Sequence, residues 1–406
     1  MKILTVVYSL GKGGTERAAQ NFAEGYHNFG WDSRILGQYE GGSRIKELSQ
    51  LEIKVWIGTH NFVFEEIELW EPDFIHVHSN GISVKGILKL KNICKKAQFV
   101  ETNVFSVPAP QELSYQLSDW CHSLYISRGG SPSKSVVVPY PVKTENFHKS
   151  GDRECFEFRE KYGIPQDVFL FGRIGQSYIG KWSHYIIDLF EKFLKEVTTD
   201  SMLLLVNPPA EIIDYCKQYN ILEKILIIDS IIGDDDLREC YSSIDAFLHI
   251  ANQGESFGFV LAESLLCETP VITWNTPWAD NSQSEVIGDN IGGFCSNTKT
   301  EFFSYMKKIY SDTDLRRKMG KKGREQIIKY YNYKTVTNKS VKLLESECIK
   351  DDIIVQPIPK ITSEKWNIKV FANFILALKF KNIISNRLAN FLLRNFFKFN
   401  TNKFKP

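Results

Sequence analysis

Nothing in the 406 residues approaches the roughly 18 consecutive apolar residues that a membrane-spanning helix needs. The opening MKILTVVYSLGKGG holds too short an apolar run for a secretory signal. The eight cysteines (Cys94, Cys121, Cys155, Cys216, Cys240, Cys267, Cys295 and Cys348) include no C-x-x-C pair and no close histidine partner. They read as reduced thiols of a cytoplasmic protein. A net charge of only +2 argues against nucleic acid as a partner. Short internal repeats and low-complexity tracts are missing too. What remains, 43% apolar and 24% charged, is the composition of a globular protein, long enough for two or three domains.

In place of these features the chain shows alternation. KILTVVY (2–8) reads as a buried strand and TERAAQNFAEGYHNFG (15–30) as the helix after it. DSRILGQ, LEIKVWI, DFIHVHS and AQFVETN are further strand candidates, with helical text such as SVKGILKLKNICKK between them. This is the rhythm of βαβ units in a parallel sheet covered on both faces. It breaks at 136–167, where Pro139, Pro141 and Pro165 fall among turn residues, and that stretch reads as the interdomain connection. The rhythm restarts at VFLFGRIG (168–175) and runs through SMLLLVN, KILIID, DAFLHIA, PVITW and GGFCS. The expectation is an α/β protein of two Rossmann-like doubly wound domains, residues 1–150 and 151–348, followed by a tail at 349–406. Such sheets bind ligands beyond the carboxyl ends of their strands, and two of them face to face would make a cleft.

Three stretches lie where such ligands would sit. GKGGTE (11–16) follows the first strand and opens the first helix. Gly13 and Gly14 let backbone approach a ligand, and helix amides favour an anion. Glu16 stands where the dinucleotide fingerprint has its last glycine, and no G-K-[ST] closes a Walker loop, so a plain tight turn stays open. FGRIGQSYIGKW (171–182) again follows a strand. Its Arg173 offers a fork and its Lys181 a point charge to a diphosphate, unless both are solvated surface cations. GESFGFVLAES (254–264) sets Glu255 just before a helix and Glu263 two turns inside it. At about 3.6 residues per turn the two do not share one stripe, which makes a poor metal cage. Amides near Phe257, Gly258 and Phe259 would add positive potential for a diphosphate, with the glutamates accepting sugar and ribose hydroxyls. The plain alternative is a capping acid and an ordinary helix glutamate.

Taken together, these stretches resemble the retaining GT-B glycosyltransferases of family four, over roughly residues 1–348. The most specific part is the E-x7-E motif, here Glu255 and Glu263, followed by ETPVI; GKGGTE, the Arg173 and Lys181 pair, and DFIHVHS also match in place. The resemblance implies a nucleotide-diphosphate-sugar donor held mainly by the C-terminal domain, an acceptor mainly on the N-terminal domain, and usually no metal. Arg173 and Lys181 would then hold the diphosphate, Glu263 the ribose, and Glu255 the donor sugar. Backbone at Ser256, Phe257, Gly258 and Phe259 would lie near sugar and phosphate, and Gly13 and Gly14 would approach the phosphates. The logic is electrostatic stabilisation of a leaving group, so Glu255 is not read as a nucleophile. Two departures bear on the sugar. Asn103 stands where many members have a histidine, and TWNTPWADNSQSE, with Asn281 and Glu285, replaces a Gly-Gly segment. His76 and His78 are expected to point to opposite sides of their strand, with His78 lining the cleft.

The charge is uneven. Lys360 to Pro406 carry ten Lys or Arg against Glu364 alone, a net of +9, which leaves −7 on residues 1–359. Trp366, Val370, Phe374 and Leu378, then Ile384, Leu388, Leu392 and Phe396, recur every fourth position. Apolar stripes flanked by cations suit an interfacial helix on an anionic membrane, or helices packed on the protein. The expected protein is therefore a cytoplasmic glycosyltransferase, peripheral on the inner face of a membrane. It moves a hexose from a UDP- or GDP-sugar to a glycan or lipid-linked acceptor in surface polysaccharide assembly. A non-catalytic partner of the same shape and a sugar-nucleotide epimerase are the competing readings.

Overall fold

The computed structural model describes residues 1–79, 85–106, 113–219, 221–276 and 279–346. The expected basic helices at 360–406 lie outside the described residues. Among the described residues two compact units emerge, 1–142 with 331–346, and 143–330.

The first unit is built on β1 (Lys2–Ser9), α1 (Gly14–Asn28), β2 (Asp32–Glu40), α2 (Arg44–Gln50), β3 (Lys54–Ile57), α3 (Asn61–Trp70), β4 (Phe74–Ser79), α4 (Lys85–Ile93), β5 (Gln98–Asn103), β6 (Leu113–Gln116), α5 (Asp119–Ser127) and β7 (Ser135–Val137). Its strands pair in the order β3-β2-β1-β4-β5-β6-β7, parallel throughout. A parallel sheet buries both faces, which is why β1 reads as an unbroken apolar run: Ile3, Leu4, Val6 and Val7 are all fully buried. The strand order reverses between β1 and β4, the switch point at which such sheets bind ligands.

The second unit carries α6 (Asp152–Lys161), β8 (Phe169–Ile174), α7 (Tyr185–Glu196), β9 (Ser201–Val206), α8 (Ala210–Cys216), β10 (Ile225–Ile228), α9 (Asp234–Ser243), β11 (Ala246–His249), β12 (Gly254–Glu255), α10 (Phe259–Leu266), β13 (Val271–Trp274), β14 (Asp280–Asn281), α11 (Gln283–Ile287), β15 (Gly293–Ser296), α12 (Lys299–Ser311) and α13 (Thr313–Tyr331). The main sheet runs β10-β9-β8-β11-β13-β15, again parallel, and β12 pairs with β14 separately. Its core packs Phe171, Phe190, Phe193, Leu203, Leu205, Leu248 and Ile272 around Trp182, every one of them fully buried. Here the switch point lies between β8 and β11.

Both doubly wound sheets are where the alternation places them, but the boundaries differ from the expected 150/151 and 348. The first unit ends at Val142, and the chain rejoins it at Tyr331 through α14 (Tyr333–Glu345). The backbone of Val142 bonds to Tyr331 and Tyr333 at 2.7 and 2.9 Å. Val336, Val341 and Leu344 join the core of Ile3, Phe22 and Tyr26. The apolar stripe of α14 thus belongs to the first sheet, although its sequence continues from the second.

Candidate active site

The candidate site lies at the second unit's switch point, between β8 and β11. Arg173 is the fifth residue of β8 and is 1% exposed. Its Nη1 donates to the Ile174 carbonyl at 2.5 Å and its Nη2 to the Lys181 carbonyl. The guanidinium also lies over the Trp182 ring, 4.8 Å from its centroid. Trp182 in turn donates its indole N–H to the Gln176 carbonyl at 2.7 Å. Arg173 is therefore the post on which the 174–182 turn is wound, and that turn carries Lys181. Burial brings the Arg173 pKa down to about 10, against the opposing pull of Glu255. The guanidinium stays charged at neutral pH.

Lys181 Nζ donates to Glu255 Oε2 at 2.8 Å and to the Gly254 carbonyl at 3.2 Å. The other Glu255 oxygen faces His249 Nε2 at 3.3 Å, and His249 Nδ1 meets the Thr273 hydroxyl at 3.0 Å. Burial alone would raise the Glu255 pKa; Lys181 and His249 overcome it and hold the carboxyl at about 2. Burial, with Arg173 nearby, lowers His249 to about 4. His249 is thus neutral at pH 7. An ionised carboxylate only accepts, so Nε2 carries the hydrogen toward Glu255 and Nδ1 accepts from Thr273. Two cations against one carboxylate leave Arg173, Lys181 and Glu255 a net positive charge, with Arg173 and Glu255 buried and Lys181 partly so.

The short β12–β14 ladder holds Glu255 in place. It pairs Gly254 with Asp280 and Glu255 with Asn281, and the Ser282 amide donates to the Glu255 carbonyl at 2.9 Å. Gly254 has φ +66°, and a Cβ there would lie 1.8 Å from the Asp280 carbonyl oxygen. Only glycine fits, in conformation and in space. Ser256 donates to Asp280 Oδ2 at 2.6 Å. Gly258, at φ +90°, is the N-cap of α10, with Phe257 beside it and Phe259 opening the helix. Glu263, one face further along α10, is 4% exposed, and its Oε2 accepts the Tyr241 hydroxyl at 3.0 Å. Asn281 is 5% exposed; its Oδ1 accepts the Thr276 amide at 2.7 Å and the Gln283 amide group at 3.1 Å.

Sequence reasoning missed His249 and Asp280. A histidine closing a strand six residues before Glu255 was the available signal, since that strand's carboxyl end points at the switch point. Asp280 had none, because its role depends on a two-residue ladder.

The remaining candidates lie in the first unit. Gly13 caps α1, and the Glu16 carboxylate folds back over it, 2.0 Å from where a Cβ would stand. Asn103 closes β5, fully buried, with Nδ2 3.5 Å from Glu101 Oε2. The two histidines of β4 do not point to opposite sides. Residues i and i+2 of a strand share a face, and the His76 and His78 rings lie 4.4 Å apart, both against Phe22. His76 bonds to Tyr26 and Thr102 at 2.9 and 2.7 Å. His78 is 4% exposed, both ring nitrogens lack a hydrogen-bond partner among the described residues, and burial lowers its pKa to about 3.

Comparison with known proteins bears on this geometry. Residues 155–326 match the family described as glycosyl transferases group 1, a span that holds Arg173, Lys181, His249, Glu255 and Glu263. The N-acetyl-alpha-D-glucosaminyl L-malate synthase of Bacillus anthracis is 23% identical over 245 residues, 59% of this chain and 60% of that protein, so the match spans less than two thirds of the relative. A glycosyltransferase from Rickettsia africae superposes with a TM-score of 0.70 at 19% identity, covering 86% of this chain and 99% of the other. Anabaena HepE, solved in complex with UDP and glucose, gives 0.69 at 16% identity over 85% and 100%. At these identities the structural likeness is one of fold, the GT-B architecture of two Rossmann-like parallel-sheet domains.

Proposed function

We propose that this chain, whose residues 155–326 match the group 1 glycosyltransferases, moves a hexose from a nucleotide-diphosphate sugar to a saccharide or lipid-linked saccharide acceptor, with retention at the anomeric carbon. One observation carries the reading: the net-positive, largely desolvated cluster of Arg173, Lys181 and Glu255 at the β8/β11 switch point, inside the span that matches the family. In the transfer, the bond from the anomeric carbon to the diphosphate oxygen breaks, and a bond to the acceptor hydroxyl oxygen forms. The hydroxyl proton leaves with the diphosphate or to solvent. Negative charge grows on the departing diphosphate, and fixed positive charge in a buried site stabilises it most.

Lys181 is the group that meets this charge. Its ammonium is already desolvated in part, and a diphosphate would draw it from Glu255. Arg173 acts beside it through its charge and by holding the turn that carries Lys181. The α10 amides after Gly258 add their own potential. Glu255, released from Lys181, accepts a hydroxyl of the donor sugar, and neutral His249 keeps its carboxylate oriented. Glu263, fixed by Tyr241, accepts from the ribose. Ser256, Phe257 and Asn281 border the sugar. On this reading Gly13 and Gly14, Asn103 and His78 are the first unit's contributions. No metal is called for, because side-chain cations and amides neutralise the leaving group. UDP is the carrier to try first, since HepE was solved with it. Surface polysaccharide assembly and attachment to the inner face of a membrane through the basic tail complete the proposal.

The test is a panel of UDP- and GDP-sugars, with a chelator present, followed by release of nucleoside diphosphate. Release from one donor, lost in Lys181→Ala and Glu263→Ala, is the expected result. A donor that raises the melting temperature without being turned over would favour a binding-only role. Neither release nor stabilisation by any donor would overturn the reading.

A further inference from the structure

Tyr8 and Tyr39 end two neighbouring strands of the first unit with their rings in the open. They are 58% and 45% exposed, yet packed on each other with centroids 4.6 Å apart and planes 34° apart. Strict pairing would not bring them together. Val7 stands opposite Gly37, which puts Tyr39 on the Val7 face and Tyr8 on the other. The register then slips: Ser9 stands opposite Glu40, so β2 fits three steps against two on β1. The extra residue turns the end of β2 and carries Tyr39 onto the side of Tyr8, the re-aiming that bulges produce beside functional sites.

Two glycine turns fix this arrangement. A Cβ on Gly42 would lie 2.2 Å from the Leu10 carbonyl oxygen and 2.7 Å from the Gly11 nitrogen, so the turn after β2 is pressed against the turn after β1, backbone to backbone. Arg44 locks the pair, with its amide on the Leu10 carbonyl at 3.3 Å and its Nε on the Gly11 carbonyl at 2.8 Å. The tyrosines therefore stand at the carboxyl ends of the strands that lead into these two turns, where Lys12 and Glu40 are exposed.

We propose that Tyr8 and Tyr39 form a stacking platform for a pyranose ring of the acceptor. Its meaning as an acceptor subsite rests on the transferase reading above. The chemistry selects a saccharide. The two rings offer apolar surface about the size of one sugar face, too small for a stable protein interface. Phenol hydroxyls, and the exposed Lys12 and Glu40 that follow in the chain, suit a ligand whose rim is all hydroxyl. Tyrosine supplies such amphipathic contact at low entropic cost.

The experiment uses the full-length protein and saturation-transfer NMR with a panel of methyl glycosides (glucose, galactose, mannose, N-acetylglucosamine) and their common disaccharides. At least one is expected to take up saturation on its ring C–H protons. The signal should fall at least fivefold in Tyr8→Ala and in Tyr39→Ala and persist in Tyr39→Phe. Thermal stabilisation by UDP, measured on the same variants, reads the other unit and should be unchanged. No saccharide signal, or one indifferent to both alanine variants, overturns the platform while retained UDP stabilisation leaves the transferase reading standing. A tyrosine-dependent saccharide signal without stabilisation by any nucleotide would do the reverse.

Discussion

The Lys181 ammonium and the Glu255 carboxylate lie 2.8 Å apart with side chains 28% and 12% exposed, an ion pair that is largely out of water. Breaking such a pair by removing one partner strands the other charge. Lys181→Met is expected to lower stability by about 2–3 kcal/mol, below the fully buried range because Lys181 keeps some solvent. It should also cut nucleoside-diphosphate release about 100- to 1,000-fold. Glu255→Gln removes the negative charge but keeps the shape, so its stability loss should be the smaller of the two. Urea titrations and the release assay check both. A Lys181→Met protein as stable and as fast as its parent would remove this pair from the site.

His249 makes stability depend on pH in a defined window. Its folded pKa is lowered by burial to about 4, from an ordinary value of 6.5. Above 6.5 neither state binds the proton. As pH falls below 6.5, the unfolded chain takes a proton that the folded chain refuses, so stability drops until the folded state also titrates near 4. At roughly 1.4 kcal/mol per pKa unit, the loss attributable to His249 is about 3 kcal/mol. Glu255 acts lower, losing its stabilising charge only as pH falls from its ordinary value toward 2. The difference in urea midpoint between wild type and His249→Gln, followed from pH 7 to pH 4, isolates the histidine. It should shift steadily in favour of the variant on acidification. A flat difference would mean that His249 is already charged or exposed.

The parts of the site that were legible in the sequence are those set by strand–turn–helix punctuation. FGRIG closes β8 and GESFG follows β11, so Arg173 and Glu255 stand at strand ends that the alternation marks, and the family resemblance does the rest. The roles inside the site were harder to see. Arg173 spends its two amino groups on the carbonyls of Ile174 and Lys181, a backbone arrangement that no motif spells. His249 and Asp280 come to Glu255 and Ser256 through one strand end and one two-residue ladder. The fold was legible because parallel strands buried on both faces are unbroken apolar runs. The short β6 and β7, four and three residues long, carry too little pattern to be picked out. The histidine pair of β4 shows the cost of misapplying the period: alternation by one residue changes the face, and alternation by two restores it.

The basic tail yields a prediction of its own. Among the described residues no helix is long and apolar enough to cross a membrane. The charge of +9 over residues 360–406, with its fourfold apolar spacing, makes this segment the proposed anchor. Deleting 360–406 is expected to move the protein from the membrane fraction to the soluble one, and to abolish pelleting with vesicles containing anionic lipid. The full chain should bind those vesicles less tightly as salt rises. A truncated chain that pellets as well as the full one would take the anchor away from the tail.

Ser340 tests the assignment of α14 to the first unit. Its hydroxyl sits 2.7 Å from the Tyr26 hydroxyl and 3.0 Å from that of Tyr115, and Tyr26 also reaches His76. All four groups are buried. Ser340→Ala leaves Tyr115 only a long 3.5 Å contact to the residue-340 carbonyl, in a place water does not reach, while Tyr26 keeps His76. An unsatisfied buried hydroxyl costs about 1–3 kcal/mol, and the retained bond puts the expected loss near 1–2 kcal/mol. If α14 packs on the first unit, hydrogen exchange should speed up at α1, β4 and β6, with β8 and β11 unaffected. Exchange that rises only in the second unit would place α14 there, and with it the boundary at Tyr331.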